Sequence, residues 1–434
     1  MISKNLLFQK KLNKTEVTLG IFEDFNEAVA KAEVAQKTLI ELSLIKRSNI
    51  TQAIRNIIQQ NIESLAYYNW SEASMGNLDG KISKHHLVVK NTLGVKYLQE
   101  NNISLFNPYG VILSFIPSTN ASETLADHTI GMIAAGNSCV FCPNPRVIKT
   151  CKNLIHLFNK TIIEAGGPEN LITLVDAPRR SVIEQLMQHP SIKLIVATGS
   201  TGIVNAALAS GKKAICAGSG NPPIIVDEDA DLKLTAESII QSIYFEFNIL
   251  CINEKEAFVL EPVYDEFISV LQEKKSYLLS EQELEALCQV IFTDSNSDEK
   301  IKAVKKEYVG QSPQKLLQHI GVNIPDDTRL LIAKTVADHP VVLTECMIPL
   351  LPIVKVSTIN EAIAQAVIAE GGRNHSASIY SNTSENIDKF RSMMPTTVFS
   401  INESPLDSFP HFACTIATTT GEGFVCAKDF VREG

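Results

Sequence analysis

Between residues 111 and 217, short apolar runs alternate with amphipathic stretches of helical length, and this pattern limits the fold more than anything else in the chain. The runs are VILSFI, SCVFC, LITLV, KLIVA and KAIC. The segments between them, 121–135, 146–165, 180–188 and 201–210, carry apolar residues at three- and four-residue spacing. Strands joined by helical crossovers run parallel, so the pattern predicts an α/β fold with a doubly wound parallel sheet. Ligands of such sheets lie at the carboxyl ends of the strands. Here those ends are Pro117–Asn120, Cys142–Pro145, Asp176 and Thr198–Thr201. No GxGxxG fingerprint follows any strand, so a dinucleotide has to be held otherwise than on the usual glycine-rich turn.

On either side the pattern changes. Residues 22–70 read as helix, followed by a loop with Met75-Gly76 and Asp79-Gly80. After Ile224–Val226, DEDADLKLTAESIIQSI reads as a capped amphipathic helix that delivers the chain to Cys251. A second αβ pattern runs to about 400, and the last segment, 401–434, carries Thr418-Thr-Thr-Gly-Glu-Gly423. At 434 residues the chain fits two or three packed units. Its 45 % hydrophobic and 20 % charged residues with a net charge of -9 predict a globular protein that repels nucleic acid and acidic membranes, leaving small molecules as partners. The nine cysteines show one CxxC spacing, Cys139 to Cys142 inside the apolar run SCVFC, and otherwise no regular spacing, which predicts neither a disulfide framework nor a metal site, but reduced cytoplasmic thiols. No apolar run approaches the ~18 residues that span a bilayer, and MISKNLLFQKKLNKTEV has too short an apolar core for a secretory signal. Leu6, Leu7, Phe8 and Leu12 suit either a short amphipathic docking helix or a frayed terminus.

Cys251 sits where SIYFEFNILC meets the charged INEKEAF, an odd place for a thiol whose ordinary role is that of a small buried hydrophobe. Five stretches in order, FIPSTNASETLADHTIGMIAAGNS, SGKKAICAGSGNPPIIVDEDADL, FNILCINEKE, MIPLLPIVKV and TIATTTGEG, resemble the aldehyde dehydrogenase superfamily, and within it the CoA-acylating members, from about residue 20 to 431. The resemblance implies an aldehyde dehydrogenase-like fold with an NAD-binding domain (1–226, with part of a small β oligomerisation arm near 85–110), a catalytic domain (227–400), and a return to the nucleotide domain and oligomerisation region (401–434). It implies Cys251 as the nucleophile and Asn120 as oxyanion donor, the alternative for Asn120 being a helix N-cap. It also places Glu345 at the nicotinamide ribose. Ser118, Thr119 and Pro143 fall at strand ends beside it, and Thr198, Gly199 and Ser200 open a helix suited to a pyrophosphate or merely cap it. Members that release free acid carry a Glu base where this chain has Ala217, which favours coenzyme A over water as acyl acceptor; Glu254 is the alternative base.

The expected reaction is oxidation of a short aliphatic aldehyde to acyl-CoA with NAD and coenzyme A. The alternatives are a hydrolytic dehydrogenase and a non-catalytic binding or assembly subunit. The resemblance further implies a homodimer or tetramer and a cytoplasmic location, with association to a bacterial microcompartment as a further expectation. Three departures bear on this. Asn144 replaces a family His, the loop Ser404–Phe412 is short, and the chain stops at Gly434 before a terminal strand used in subunit pairing.

Overall fold

The computed structural model describes residues 19–101, 107–176, 178–293, 301–408 and 430–432. Its strands, in chain order, are β1 (Ile21–Phe22), β2 (Asn107–Pro108), β3 (Val111–Ile116), β4 (Ser138–Pro143), β5 (Ile172–Val175), β6 (Ile192–Thr198), β7 (Lys213–Ala217), β8 (Pro223–Val226), β9 (Glu256–Leu260), β10 (Ser276–Leu278), β11 (Leu330–Thr335), β12 (Leu350–Val356), β13 (Ser376–Tyr380), β14 (Val398–Ile401) and β15 (Val431–Arg432). They form a six-stranded sheet in the order β1-β5-β4-β3-β6-β7, a seven-stranded sheet in the order β10-β11-β12-β9-β8-β13-β14, and a two-stranded antiparallel ribbon of β2 and β15. Both large sheets are parallel throughout. This bears out the α/β class and the five strands read between 111 and 217, to which β1 adds a sixth.

A parallel sheet covered on both faces needs strands that are apolar throughout. VILSFI and SCVFCP are buried at every residue. One face of the first sheet packs on helices Leu44–Ala73, Ala121–Ala134 and Ile148–Glu164, the other on helices Phe25–Glu41, Arg180–Gln188 and Thr201–Leu208. From β3 the chain winds outward through β4 and β5, then returns to add β6 and β7 on the other side. The strand order therefore reverses between β3 and β6, the switch point at whose carboxyl ends such sheets bind their ligands.

The structure shifts three sequence expectations. β8 hydrogen-bonds between β9 and β13, so the passage from the first sheet to the second falls at 218–222 rather than after Val226. Asp79 and Gly80 lie in the first turn of helix Leu78–Asn91 rather than in a loop, because the Asn77 side chain caps that helix through the Gly80 N–H at 2.7 Å. Among the described residues of 85–110, most are helical as well. Residues 85–91 finish the buried face of that helix against helix Leu44–Ala73, Val95–Glu100 forms another helix, and the strand among them is Asn107–Pro108. The N-terminal leucines, Cys414, Cys426, residues 409–412 of the short loop and Thr418–Gly423 lie outside the described residues. Phe430 packs in the first sheet's core, so the chain does return there after β14.

Candidate active site

Register brings the expected residues to one edge. Ile116 at the end of β3 pairs with Pro143 of β4, and Thr198 at the end of β6 pairs with Ala217 of β7. Ser118, Thr119 and Asn120 follow β3, half-buried; Gly199 follows β6 and donates its N–H to the Ala217 carbonyl at 3.2 Å, and Ser200 opens helix Thr201–Leu208. A nucleotide fits here on the structure's own terms. Thr198 Oγ1 is buried without a hydrogen-bond partner, Gly199 has open space where a side chain would start, and Ser200 makes no side-chain cap bond. Exposed Asn144 instead spends its side chain on the Arg146 N–H at 3.1 Å.

Cys251 arrives from the other side. Helix Leu232–Tyr244 ends in a kink in which Glu246, Phe247 and Asn248 are all left-handed, with φ of 54°, 54° and 64°. Such residues are uncommon outside glycine, and three in succession need outside support. The Lys255 ammonium supplies part of it, donating to Asn248 Oδ1 (2.7 Å), Leu250 O (2.8 Å), Asn253 O (3.0 Å) and Asn248 O (3.3 Å). The Asn248 amide reaches Ile348 O and Glu254 O, and the Asn253 amide reaches Ser242 O. The thiol-bearing loop is thus wrapped around one cation and pinned by two asparagines.

Gly220 lets this loop close on its neighbours. A Cβ there would stand 2.6 Å from the Cys251 carbonyl and 3.0 Å from the His375 ring, so only glycine fits. Its N–H binds Glu345 Oε1 at 3.1 Å, which sets the Glu345 carboxylate beside the thiol. Burial, then the Glu345 charge, push the Cys251 thiol up to about 12, and burial raises Glu345 to about 7. The unliganded site therefore holds a neutral thiol at pH 7. His375, absent from the sequence reading, is buried with Nδ1 on Ser376 Oγ and Nε2 without a partner; burial drops its pKa to about 4, so the ring is neutral. Its only sequence signal was the NHSAS run entering β13.

The cap alternative for Asn120 fails. Asn120 begins helix Ala121–Ala134 but makes no side-chain cap bond; its Oδ1 instead accepts a hydrogen bond from Lys84 Nζ. Glu254 is fully buried, paired with Ser242 on helix Leu232–Tyr244 and raised to about 7 chiefly by burial. Cys142 and Cys346 are buried packing residues whose thiols are pushed well up by the same desolvation. All seven cysteines among the described residues are free, and no described helix is long and apolar enough to cross a membrane.

A half-buried thiol packed against the first sheet's core, and an amide held at the end of β3, suit the site of a cysteine-dependent dehydrogenase. The aldehyde dehydrogenase family profile matches residues 11–414, and the chain belongs to this family. Among its relatives, it is 37 % identical over 430 residues to the acetaldehyde dehydrogenase (acetylating) EutE of Salmonella typhimurium, covering 95 % of this chain and 91 % of that one. It is 36 % identical to the propanal dehydrogenase (CoA-propanoylating) of the same organism, covering 95 % and 90 %. The Rhodopseudomonas palustris propionaldehyde dehydrogenase, solved with CoA bound and its cysteine acylated, superposes with a TM-score of 0.88 at 31 % identity over 95 % of this chain and 96 % of that one. A propionaldehyde dehydrogenase from the Clostridium phytofermentans fucose utilisation bacterial microcompartment gives 0.89 at 33 % identity over 95 % and 97 %.

Proposed function

We propose that this chain oxidises a short aliphatic aldehyde to its acyl-CoA, transferring hydride to NAD and the acyl group to coenzyme A through a thioester on Cys251. What supports the reading is the half-buried Cys251 on a loop pinned by Lys255, together with an Asn120 amide free of capping duty at the end of β3 and, by family resemblance, Ala217 in place of the base of hydrolytic members. The Cys251 thiol loses its proton and its sulfur adds to the aldehyde carbonyl. The alkoxide that forms is held by Asn120 Nδ2 and the Cys251 N–H. Thr198–Ser200 would hold the NAD phosphates and Glu345 its nicotinamide ribose, and NAD would supply the hydride acceptor. Loss of hydride leaves Cys251 as a thioester. The coenzyme A thiol, deprotonated, then attacks that carbonyl and expels the Cys251 thiolate. The sum is aldehyde, NAD⁺ and CoA going to acyl-CoA, NADH and H⁺.

Mixing protein, propanal, NAD and CoA tests this directly. Acyl-CoA with stoichiometric NADH is the expected product. Free acid formed equally with and without CoA would favour the hydrolytic reading, and absence of NADH would favour the non-catalytic one. We also infer a homo-oligomer and residence in a bacterial microcompartment. The support is the setting of the Clostridium relative and the leucines at 6, 7 and 12 with Phe8. Sedimentation of the full chain, and co-purification of a fluorescent protein fused to residues 1–18 with microcompartment shells, test the two.

A further inference from the structure

Beneath Asn120 lies a cluster of charges with no access to water. Lys81 and Lys84, one turn apart on helix Leu78–Asn91, have side chains 0 % exposed, as have Glu123 and Glu246. Lys84 Nζ contacts Glu246 Oε2 and Asn120 Oδ1 and lies 3.5 Å from Glu123 Oε1. Lys81 Nζ donates to Thr119 O at 2.6 Å and to Glu246 Oε2 at 3.2 Å. Glu123 also accepts from Asn69 Nδ2 at 2.9 Å, and the neutral His85 ring rests on Lys81 O. Burial alone would raise Glu123, but the two ammonium groups outweigh it and hold its pKa at about 2. Space for Glu246 is cleared by glycine, since a Cβ on Gly80 would meet Glu246 Cγ at 2.4 Å.

Burying two cations and two carboxylates is expensive, and replacement by apolar residues would often be neutral or better for stability. Their placement gives a reason for keeping them. An ammonium has only donors, so Lys84 can pair only with the amide oxygen of Asn120. That turns Nδ2, the sole donor of the side chain, away from the cluster. Glu246, gripped by the same ammonium, lies in the left-handed kink that enters the Cys251 loop.

We propose that Lys84 is a positioning residue: it fixes the Asn120 amide with Nδ2 toward the reacting carbonyl and, through Glu246, sets the distance between Asn120 and the backbone N–H of Cys251. This rests on the oxyanion role given to Asn120 above. Lys84 touches no substrate; it acts through Asn120. Alkylation by iodoacetamide is a displacement at a saturated carbon and forms no oxyanion, so it separates positioning of the amide from damage to the thiol loop.

The test compares wild type, Lys84→Met, Asn120→Ala and the double variant in three measurements: the single-turnover NADH burst with propanal and NAD, the alkylation rate of Cys251, and thermal unfolding. Lys84→Met is expected to slow the burst by about 100-fold, comparable to loss of an oxyanion donor. Alkylation should stay within about threefold of wild type, and the double variant should be no slower than Asn120→Ala alone, because the two residues act as one unit. If Lys84→Met does not fold, Lys84→Met combined with Glu246→Gln removes one charge of each sign and is measured in its place. A normal burst in Lys84→Met, multiplied effects in the double variant, or alkylation lost in step with the burst would each overturn the proposal while leaving Asn120 as oxyanion donor. A normal burst in Asn120→Ala would overturn the oxyanion reading, and the proposal with it.

Discussion

Lys255 in the Cys251 loop and the Lys81–Lys84 pair beneath Asn120 are all buried ammonium groups, yet their charges are satisfied by different chemistry. Lys255 binds three backbone carbonyls and one amide oxygen, with no carboxylate within salt-bridge distance among the described residues, and so acts on the loop much as a bound cation would. Lys84 and Lys81 pair with Glu246 and Glu123, and Lys81 also donates to the Thr119 carbonyl. Carbonyl ligation shapes a main chain, here the left-handed run ahead of the thiol. Ion pairing fixes the direction of a side chain. On the proposed reading, a nucleophilic Cys251 needs a loop held in an unusual path and an oxyanion-donating Asn120 needs one amide turned one way, and each is given the cation suited to that task.

The comparison breaks most severely at Lys255. Lys255→Met would remove a donor from four buried acceptors, and we expect unfolding stability to fall by about 3–5 kcal/mol, with the NADH burst abolished. Denaturant titration checks the first and stopped-flow the second; an unchanged midpoint would show that the loop holds its path without the cation.

Asn120→Ala is the next largest effect. It should slow the burst about 100-fold, with a stability cost of about 1–2 kcal/mol from the acceptor that buried Lys84 loses rather than from a cap, which Asn120 does not make. A stability loss of ~1 kcal/mol with normal turnover would instead be the mark of a cap.

Glu345→Gln sharpens the electrostatic side. With the Cys251 pKa at about 12 the thiol is almost fully protonated at pH 8, and alkylation of wild type should climb with pH without reaching a plateau by pH 10. Removing the nearby carboxylate lowers that pKa, so alkylation at pH 8 should rise roughly three- to tenfold even as NAD binding weakens. A fall in alkylation would show that Glu345 does not bear on the thiol.

The smallest effect belongs to Ala217→Glu. A carboxylate on β7 should increase free acid formed per acyl-enzyme, modestly, because a base must stand within about 3 Å of its water. Product partition between acid and acyl-CoA measures it, and no change would mean that position 217 does not govern the acceptor.

Much of this was legible in the sequence. Strands β3–β7 appear as apolar runs because a doubly covered parallel sheet demands buried side chains on both faces, and the strand ends then place Asn120 and Thr198 without further information. Cys251 and Glu345 were legible through motifs. The charge cluster was not. Lys81 and Lys84 sit in DGKISKHHL, which reads as a solvated basic turn of helix; their partners Glu123 and Glu246 are remote in sequence, and no periodicity connects the three segments. The same holds for the sheet boundary, because PPIIV looks alike whichever sheet it joins. His375 escaped because a lone His entering an apolar strand has no distinguishing spacing.

The first sheet's core includes Leu250, Ile252, Val398 and Phe430, and its buried lysines find Glu246 in a segment that follows the whole of that sheet in the chain. A ribosome therefore releases the nucleotide-binding half before the residues that neutralise and seal it exist. Until position 246 emerges, Lys81 and Lys84 lack the carboxylate that contacts both of them in the finished fold. Because Glu246 lies in the kink that leads into the Cys251 loop, the segment that completes the buried charge cluster and the segment that shapes the thiol's loop are one and the same, and neither can dock without the other.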